Sequence, residues 1–152
     1  MPTADRAYDI VVFGATGFTG ALTAEYLAGH APSRMRWALA GRSSRKLEDV
    51  RRRLGSGFED LPLLTADVDD PDSLRGMAEA ARVVISTVGP YIRYGEPVVA
   101  ACAAAGTDYV DLTGEPEFVD RMWLRCQDRA VETGDRFDPG GIPAAGAEAY
   151  PA

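Results

Sequence analysis

Short apolar runs of five to seven residues recur along the chain, separated by longer segments of mixed polarity. Each run is rich in Val, Ile, Leu or Ala and ends near Gly, Pro or Asp, a pattern typical of strands buried on both faces. These runs predict five strands, at Tyr8–Gly14, Arg36–Ala40, Leu61–Thr65, Arg82–Val88 and Asp108–Leu112.

The intervening segments predict helices. Asp70 is the predicted N-cap of one helix, with Pro71 at its first position, and glycine residues at the ends of several other segments indicate where those helices stop. Strands that alternate with helices indicate right-handed βαβ units, and so an α/β fold with a doubly wound parallel sheet, the Rossmann fold. The other predicted helices are Phe18–Ala28, Ser44–Leu54, Pro97–Ala105 and Pro116–Thr133.

Two of these helices carry a predicted burial pattern. The helix at Pro97–Ala105 is apolar nearly all round, so we expect it to be buried rather than on the surface. The helix at Pro116–Thr133 has one apolar stripe, formed by Val119, Met122, Trp123, Cys126 and Ala130.

The chain of 152 residues is long enough for one domain, which we expect to span residues 9–134 after a short tail at 1–8. Residues 135–152 are rich in Gly, Pro and Ala and show no periodicity. Pro139 and Pro143 make this stretch a poor sixth strand, because proline donates no ladder hydrogen bond. We therefore expect about five strands, an exposed edge at the fifth, and some tendency to form homo-oligomers.

Composition narrows the class of partner. The net charge of −7 argues against a nucleic-acid partner, because duplex binding depends on phosphate neutralisation. No apolar run reaches the length of a membrane span, the N-terminus lacks the apolar core of a signal peptide, and a cytoplasmic location is expected. Cys102 and Cys126 cannot form a disulfide framework or a zinc site by themselves, and we expect no metal. Residues 34–53 hold eight basic and two acidic side chains, which suits a small anion.

A glycine-rich turn joins the first predicted strand to the first helix. Its GxxGxxG spacing lets the backbone approach a pyrophosphate at the N-terminus of the helix, where free N–H groups and the helix dipole favour an anion. A tight turn without a ligand is the alternative reading. The candidate cofactor-binding residues here are Gly14, Thr16, Gly17, Phe18, Thr19 and Gly20.

The end of the second strand indicates which dinucleotide is bound. NAD-binding domains carry a carboxylate here for the ribose 2′-OH, whereas this chain has the cations and hydroxyls of Arg42, Ser43 and Lys46. The residues favour NADP over NAD, although Lys46 could simply lie on a solvated helix face. Further candidate contacts follow later strands at the same sheet edge. Asp67 could contact the adenine amino group or only belong to the turn that leads into the next helix. Thr87, Val88, Gly89 and Pro90 are expected beneath the ribose and nicotinamide, although Gly89 and Pro90 could simply end the strand.

Candidates for catalysis are few. Tyr91 and Tyr94 could contact substrate or nicotinamide, and Asp111 and Glu115 could handle a proton or only cap the next helix. Lys46 is the only lysine, so the Tyr-x-x-x-Lys relay of short-chain dehydrogenases is excluded. His30 lies at the far edge of the sheet and is not expected to be catalytic.

Three segments together resemble the N-terminal domain of saccharopine dehydrogenase-like oxidoreductases: YDIVVFGATGFTG, ALAGRSSRKLE and VVISTVGPYIRYGEPVVAACAAAGTDYVDLTGE. The similarity covers residues 8–134 and is greatest to the actinobacterial branch that includes trans-acting enoyl reductases. GPYIRYG and YVDLTGE are its most specific motifs. The resemblance implies an NADP-dependent reductase, an enoyl or keto reductase acting on a small-molecule substrate such as a lipid or acyl thioester.

The family chain normally continues into a sixth strand, a GFDSIP-like loop and a substrate domain, whereas this sequence shows only Phe137-Asp138-Pro139-Gly140-Gly141-Ile142-Pro143 there. We therefore expect this chain alone to hold the cofactor without turnover. The alternatives are a non-enzymatic dinucleotide-binding or redox-sensing module and an inactive truncated fragment.

Overall fold

A computed structural model describes residues 5–134 and 137–138 of the chain. It contains one parallel sheet of strands and five helices that alternate along the sequence, which confirms the doubly wound α/β class. The strands are β1 (Tyr8–Phe13), β2 (Trp37–Gly41), β3 (Leu63–Thr65), β4 (Ala81–Ser86), β5 (Asp108–Asp111) and β6 (Phe137–Asp138).

The strand order is β3-β2-β1-β4-β5-β6, and every neighbouring pair is parallel. The order changes direction between β1 and β4, where Val11 pairs with Val84 and Phe13 with Ser86. In open α/β sheets, ligands bind beyond the carboxyl ends of the strands at such a switch point. The topology therefore points to the loops that follow β1 and β4.

The helices cover both faces of the sheet. They are α1 (Phe18–His30), α2 (Ser44–Leu54), α3 (Pro71–Ala80), α4 (Tyr91–Ala105) and α5 (Pro116–Thr133). Val12 lies in a core cluster with residues of α1 and α2, whereas Val11 and Phe13 belong to the cluster that contains residues of α3, α4 and α5. This alternation follows from the pleat, which turns successive side chains to opposite faces. No helix among the described residues is long and apolar enough to cross a membrane.

Local signals define most helix ends. Asp70 caps α3 by accepting hydrogen bonds from the N–H groups of Asp72 and Ser73, with Pro71 in the first turn, as predicted. Gly106 and Gly134 end α4 and α5 in the left-handed conformation. The predicted bounds of α2 and α5 are both confirmed.

The start of α4 differs from the prediction. The helix begins at Tyr91 rather than Pro97, and Pro97 lies inside it. Proline favours the first turn of a helix because it lacks an N–H group, and this preference predicts a start at Pro97. The first turn instead gains its acceptor from Glu115, which lies outside the helix and is described below.

The burial predicted for α4 and α5 was partly wrong. Ala100 and Ala104 are exposed, so α4 is not buried on all sides. On α5, Trp123 is 47% exposed and Phe118 is buried instead. Gly95 of α4 explains the difference, because a Cβ there would lie 2.5 Å from the ring of Phe118. The absence of a side chain at Gly95 creates the space that this ring fills.

The sixth strand is present but short. Phe137 and Asp138 pair in parallel with Tyr109 and Val110 of β5. The expectation that β5 forms an exposed edge is therefore wrong, because β6 covers half of its four residues. The rest of the irregular stretch expected at residues 135–152 lies outside the described residues.

Candidate functional site

An open cleft of about 390 Å³ lies at the carboxyl edge of the sheet, over the switch point. Its volume lies within the range of small-molecule sites. The loops after β1, β2, β3 and β4 and the start of α4 supply its walls. The lining residues are Phe13, Gly14, Thr16, Gly17, Gly41, Arg42, Val68, Asp69, Thr87, Val88, Gly89 and Tyr94.

The glycine turn forms the floor of this cleft. Gly14 has a φ of +86°, and a Cβ there would lie 2.7 Å from Thr87 Oγ1. Gly20 is needed for packing, since its Cβ would lie 2.1 Å from the carbonyl oxygen of Gly14. At Gly17 a Cβ would meet only that carbonyl oxygen, at 3.5 Å, which is an ordinary contact. Protein packing therefore does not require glycine at position 17.

The N-terminus of α1 has an open end at Gly17. Gly17 is the N-cap residue, no side chain caps the helix, and the first turn holds no acidic residue. An exposed helix end of this kind offers main-chain N–H groups and a positive dipole end to an anion. Because Gly17 also lines the cleft, the arrangement fits a phosphate-bearing ligand.

The other predicted residues of this turn lie in α1. Phe18 is 84% exposed, and neither Phe18 nor Thr19 lines the cleft. The carbonyl oxygen of Thr19 accepts a hydrogen bond from Thr23 Oγ1, and Gly20 is buried against the turn. The structure thus brings Gly14, Thr16 and Gly17 together at the cleft and leaves the remaining three in the helix.

The loop after β2 places a cation at the cleft. Arg42 is exposed and lines it. Ser43 caps α2, with its hydroxyl accepting from Lys46 N at 3.3 Å. Lys46 lies in a neighbouring cleft of about 530 Å³, which shares Thr16 with the first cleft and is also lined by Arg53. Asp49 and Arg52 also line this neighbouring cleft and form an ion pair at 2.9 Å, so Lys46 and Arg53 leave the α2 side with an excess of positive charge.

Thr87 joins β4 to the glycine turn. Its main-chain N–H donates to the carbonyl oxygen of Phe13 at 2.9 Å. Its hydroxyl lies 3.0 Å from the same oxygen and 3.2 Å from the carbonyl oxygen of Gly14. Val88 and Gly89 follow as cleft wall, and Pro90 is the N-cap of α4.

The two predicted tyrosines occupy different places. Tyr94 is 39% exposed and lines the cleft. Tyr91 is buried, its hydroxyl donates to the carbonyl oxygen of Ser86 at 3.1 Å, and its ring contacts Phe118. Burial raises the pKa of Tyr91 and the nearby carboxylates of Asp111 and Glu115 raise it further, while a backbone hydrogen bond from Leu112 lowers it.

The two candidate acids are hydrogen-bonded within the protein. Asp111 Oδ2 accepts from the hydroxyl of Tyr109 at 2.6 Å, and Oδ1 accepts from Thr113 N at 2.9 Å. Burial, followed by the charge of Asp111, raises the pKa of Tyr109 well above its ordinary value. Glu115 accepts from Tyr91 N and Ile92 N, at the start of α4 rather than of α5.

The loop after β3 differs in detail from the prediction. Asp67 does not line the cleft, and its Oδ1 accepts from Asp69 N at 3.0 Å. Val68 and Asp69 line the cleft instead. The sequence identifies the loop after β3 as part of the cleft. The turn that the Asp67 carboxylate closes decides which of the three consecutive side chains line the cleft. Among the described residues, no group of His, Cys, Asp and Glu could hold a metal ion.

Residues 10–136 match the family model described as the saccharopine dehydrogenase NADP-binding domain. A trans-acting enoyl reductase of Mycobacterium bovis is 54% identical over 137 residues, which are 90% of this chain and 32% of that protein. One from Mycobacterium leprae is 53% identical over 132 residues, covering 87% of this chain and 31% of that protein. This chain therefore spans about a third of the length of these curated relatives.

Solved structures share the fold at low identity. Apo saccharopine dehydrogenase (L-Glu forming) of Saccharomyces cerevisiae has a TM-score of 0.70 at 17% identity, over 88% of this chain and 27% of that one. Triphenylmethane reductase of Citrobacter sp., complexed with NADP(H), has a TM-score of 0.63 at 18% identity, over 87% of this chain and 48% of that one.

Proposed function

This chain belongs to the family of saccharopine dehydrogenase NADP-binding domains, and on that premise we propose that its cleft binds NADPH in preference to NADH. The observation that carries the proposal is the uncapped N-terminus of α1 at Gly17, which lines the same cleft as Arg42. The main-chain N–H groups at the start of α1 suit a pyrophosphate, and the guanidinium of Arg42 suits a 2′-phosphate.

Each part of the cleft has a proposed role. Gly14, Thr16 and Gly17 approach the pyrophosphate, and Arg42 pairs with the 2′-phosphate, with Ser43 and Lys46 beside it. Asp69, on the β3 side, suits a hydrogen bond from the adenine amino group better than Asp67, whose carboxylate closes the turn.

The wall after β4 faces the other half of the cofactor in this proposal. Val88, Gly89 and Tyr94 shape it, and Pro90 is the N-cap of the helix that carries Tyr94. When bound, NADPH supplies a hydride. The protein residues bind and orient the cofactor. The carboxylate of Glu115 is engaged at the start of α4, where both of its oxygens accept main-chain hydrogen bonds.

Titration of NADPH and NADH against the wild type and Arg42→Ala tests the proposal. One charge-assisted hydrogen bond contributes about 1.5–3 kcal/mol, so we expect roughly a 10- to 100-fold preference for NADPH that Arg42→Ala removes. Arg75→Ala is the matched control, because Arg75 is exposed on α3 and pairs with Asp72. Equal wild-type affinities for the two cofactors would refute the assignment of Arg42.

For the longer protein represented by the relatives, we propose an NADPH-dependent enoyl or keto reductase acting on a lipid-type acyl substrate. The support is the name of the mycobacterial relatives, at 53–54% identity over this domain. Consumption of NADPH by a full-length relative over a panel of enoyl thioesters and ketones tests it, and no consumption with any of them would contradict it. The expected self-association and cytoplasmic location stay predictions.

A further inference from the structure

The carboxylate of Glu115 makes a contact that links two separate loops. Oε1 accepts from Tyr91 N at 2.8 Å and Oε2 from Ile92 N at 2.9 Å, 24 and 23 residues away in the chain. Glu115 itself lies between β5 and α5. Pro90, the N-cap residue of α4, has no side-chain acceptor to offer, so Glu115 supplies the cap from another loop.

Glu115 is in turn held in place by its own loop. Its N–H donates to Thr113 Oγ1 at 3.2 Å, and Thr113 N donates to the buried carboxylate of Asp111 at 2.9 Å. The hydrogen bonds thus run from the end of β5, through the loop, to the start of α4. A carboxylate bound to N–H groups at a helix N-terminus benefits from both charge-assisted hydrogen bonds and the helix dipole.

The contact lies at one end of a wall of the cleft. Between Thr87, which is bound to the glycine turn, and Tyr91, which is bound to Glu115, lie only three residues, and two of them line the cleft. A second bond, from the hydroxyl of Tyr91 to the carbonyl oxygen of Ser86, holds the same end. Tyr94, in the first turn of α4, also lines the cleft.

We infer that Glu115 is a positioning residue, whose carboxylate fixes the start of α4 and thereby the wall formed by Val88, Gly89 and Tyr94. This inference rests on the proposed binding of NADPH. Glu115 is not among the residues that line the cleft, so its effect passes through Tyr91 and Ile92. Loss of the cap leaves two N–H groups at the start of α4 without their acceptors, so the wall loses its fixed position.

The consequence is selective for one half of the cofactor. Arg42 follows β2, whereas the wall that Glu115 fixes follows β4, on the other side of β1. A ligand that contains only the 2′-phosphorylated adenosine half should therefore not detect a change at Glu115. Adenosine 2′,5′-bisphosphate is such a ligand, and NADPH contains both halves.

The experiment measures both ligands by calorimetry against Glu115→Gln, with thermal unfolding of the free protein in parallel. Glutamine keeps the shape but places an NH₂ group against one of the two N–H donors. We expect NADPH to bind about 2- to 30-fold more weakly, the range for residues that act on a site through packed neighbours, with adenosine 2′,5′-bisphosphate unchanged within about twofold. Glu117→Gln is the matched control, since Glu117 is exposed and pairs with Arg121.

A second variant, Tyr91→Phe, keeps the contacts of Glu115 with Tyr91 N and Ile92 N but removes the hydrogen bonds of the Tyr91 hydroxyl, with Ser86 O and with the backbone of Leu112, at the same end of the wall. It should give the same selective loss if Glu115→Gln fails to fold. A lowered unfolding temperature with both affinities unchanged, or an equal loss for both ligands, in whichever variant folds would overturn the inference. Failure of the wild type to bind either ligand would instead overturn the proposed cofactor site.

Discussion

Two glycines of the same turn should respond differently when each is changed to alanine: Gly20→Ala should lose stability, and Gly17→Ala should lose NADPH binding. A Cβ at Gly20 would lie 2.1 Å from Gly14 O and 2.8 Å from the Cα of Ala15, both of which are backbone atoms. The backbone must move by about 1 Å, and overpacking of this kind costs roughly 1–3 kcal/mol or more. The gain in helix propensity from glycine to alanine, about 1 kcal/mol, offsets only part of that cost.

Gly17→Ala meets no such obstacle. Gly17 has an extended backbone with φ −81°, and its Cβ would meet one atom at an ordinary distance of 3.5 Å. Alanine is a poorer N-cap than glycine, so we expect a loss of stability below about 1 kcal/mol. The added methyl group would lie where the pyrophosphate approaches the helix, so NADPH affinity should fall at least about tenfold, and further for Gly17→Val.

Chemical denaturation and calorimetry on the two alanine variants separate these effects. We expect Gly20→Ala to lower the free energy of unfolding by about 2 kcal/mol, which shifts the unfolding midpoint by roughly 4–8 °C in a domain of this size. Gly17→Ala should change binding but hardly stability. Normal NADPH binding by Gly17→Val would show that the glycine turn does not approach the pyrophosphate. Wild-type stability of Gly20→Ala would refute the packing argument.

Two further predictions concern the framework around the cleft. Thr87→Val removes the hydroxyl bonds to the glycine turn and should lower the free energy of unfolding by about 1–2 kcal/mol in denaturation, while an unchanged value would show that the main-chain bond suffices. Hydrogen bonds from Arg36 hold the pKa of the Asp9 carboxyl below its ordinary value. The pair therefore stabilises the fold at pH values above that ordinary pKa, and this stabilisation is lost as the pH falls through the lowered pKa. Asp9→Asn should therefore weaken the dependence of stability on pH in that acid range, and an unaltered acid limb would contradict the assignment.

Local signals explain which helix bounds could be read from sequence. The predicted bounds of α2 match because the residues directly beside the helix mark its ends: Ser43 caps it and Gly55 follows its last residue. Those of α5 match because Pro116 and Gly134 bracket it in the same way. The start of α4 could not be found by this route, since its cap comes from Glu115, far along the chain. A local pattern contains no information on such a contact.

The choice of buried face on α5 shows a second limit. The apolar residues of this helix lie on adjacent ridges, so periodicity alone does not choose between Phe118 and Trp123. The choice is made by Gly95 on α4, which leaves room for one ring. The cleft shows the same division. The sheet edge and the glycine turn followed from the pattern of strands, whereas the presence of Asp69 rather than Asp67 at the cleft depends on the hydrogen bonds of the turn, in which Asp67 binds Asp69 N and Ser73 Oγ.

The two walls of the cleft depend on separate parts of the chain, and this separation has a measurable consequence. Arg42 follows β2 and Glu115 follows β5, three strands apart in the order β2-β1-β4-β5. At about 4.8 Å between neighbouring strands, the two positions are roughly 14 Å apart, beyond the distance at which substitutions usually couple. The losses of NADPH binding free energy in Arg42→Ala and Glu115→Gln should therefore add, to within about 0.5 kcal/mol, in the double variant. A double variant that binds no more weakly than the poorer single variant would show that both changes disturb one shared element, and the separation of the walls would be wrong.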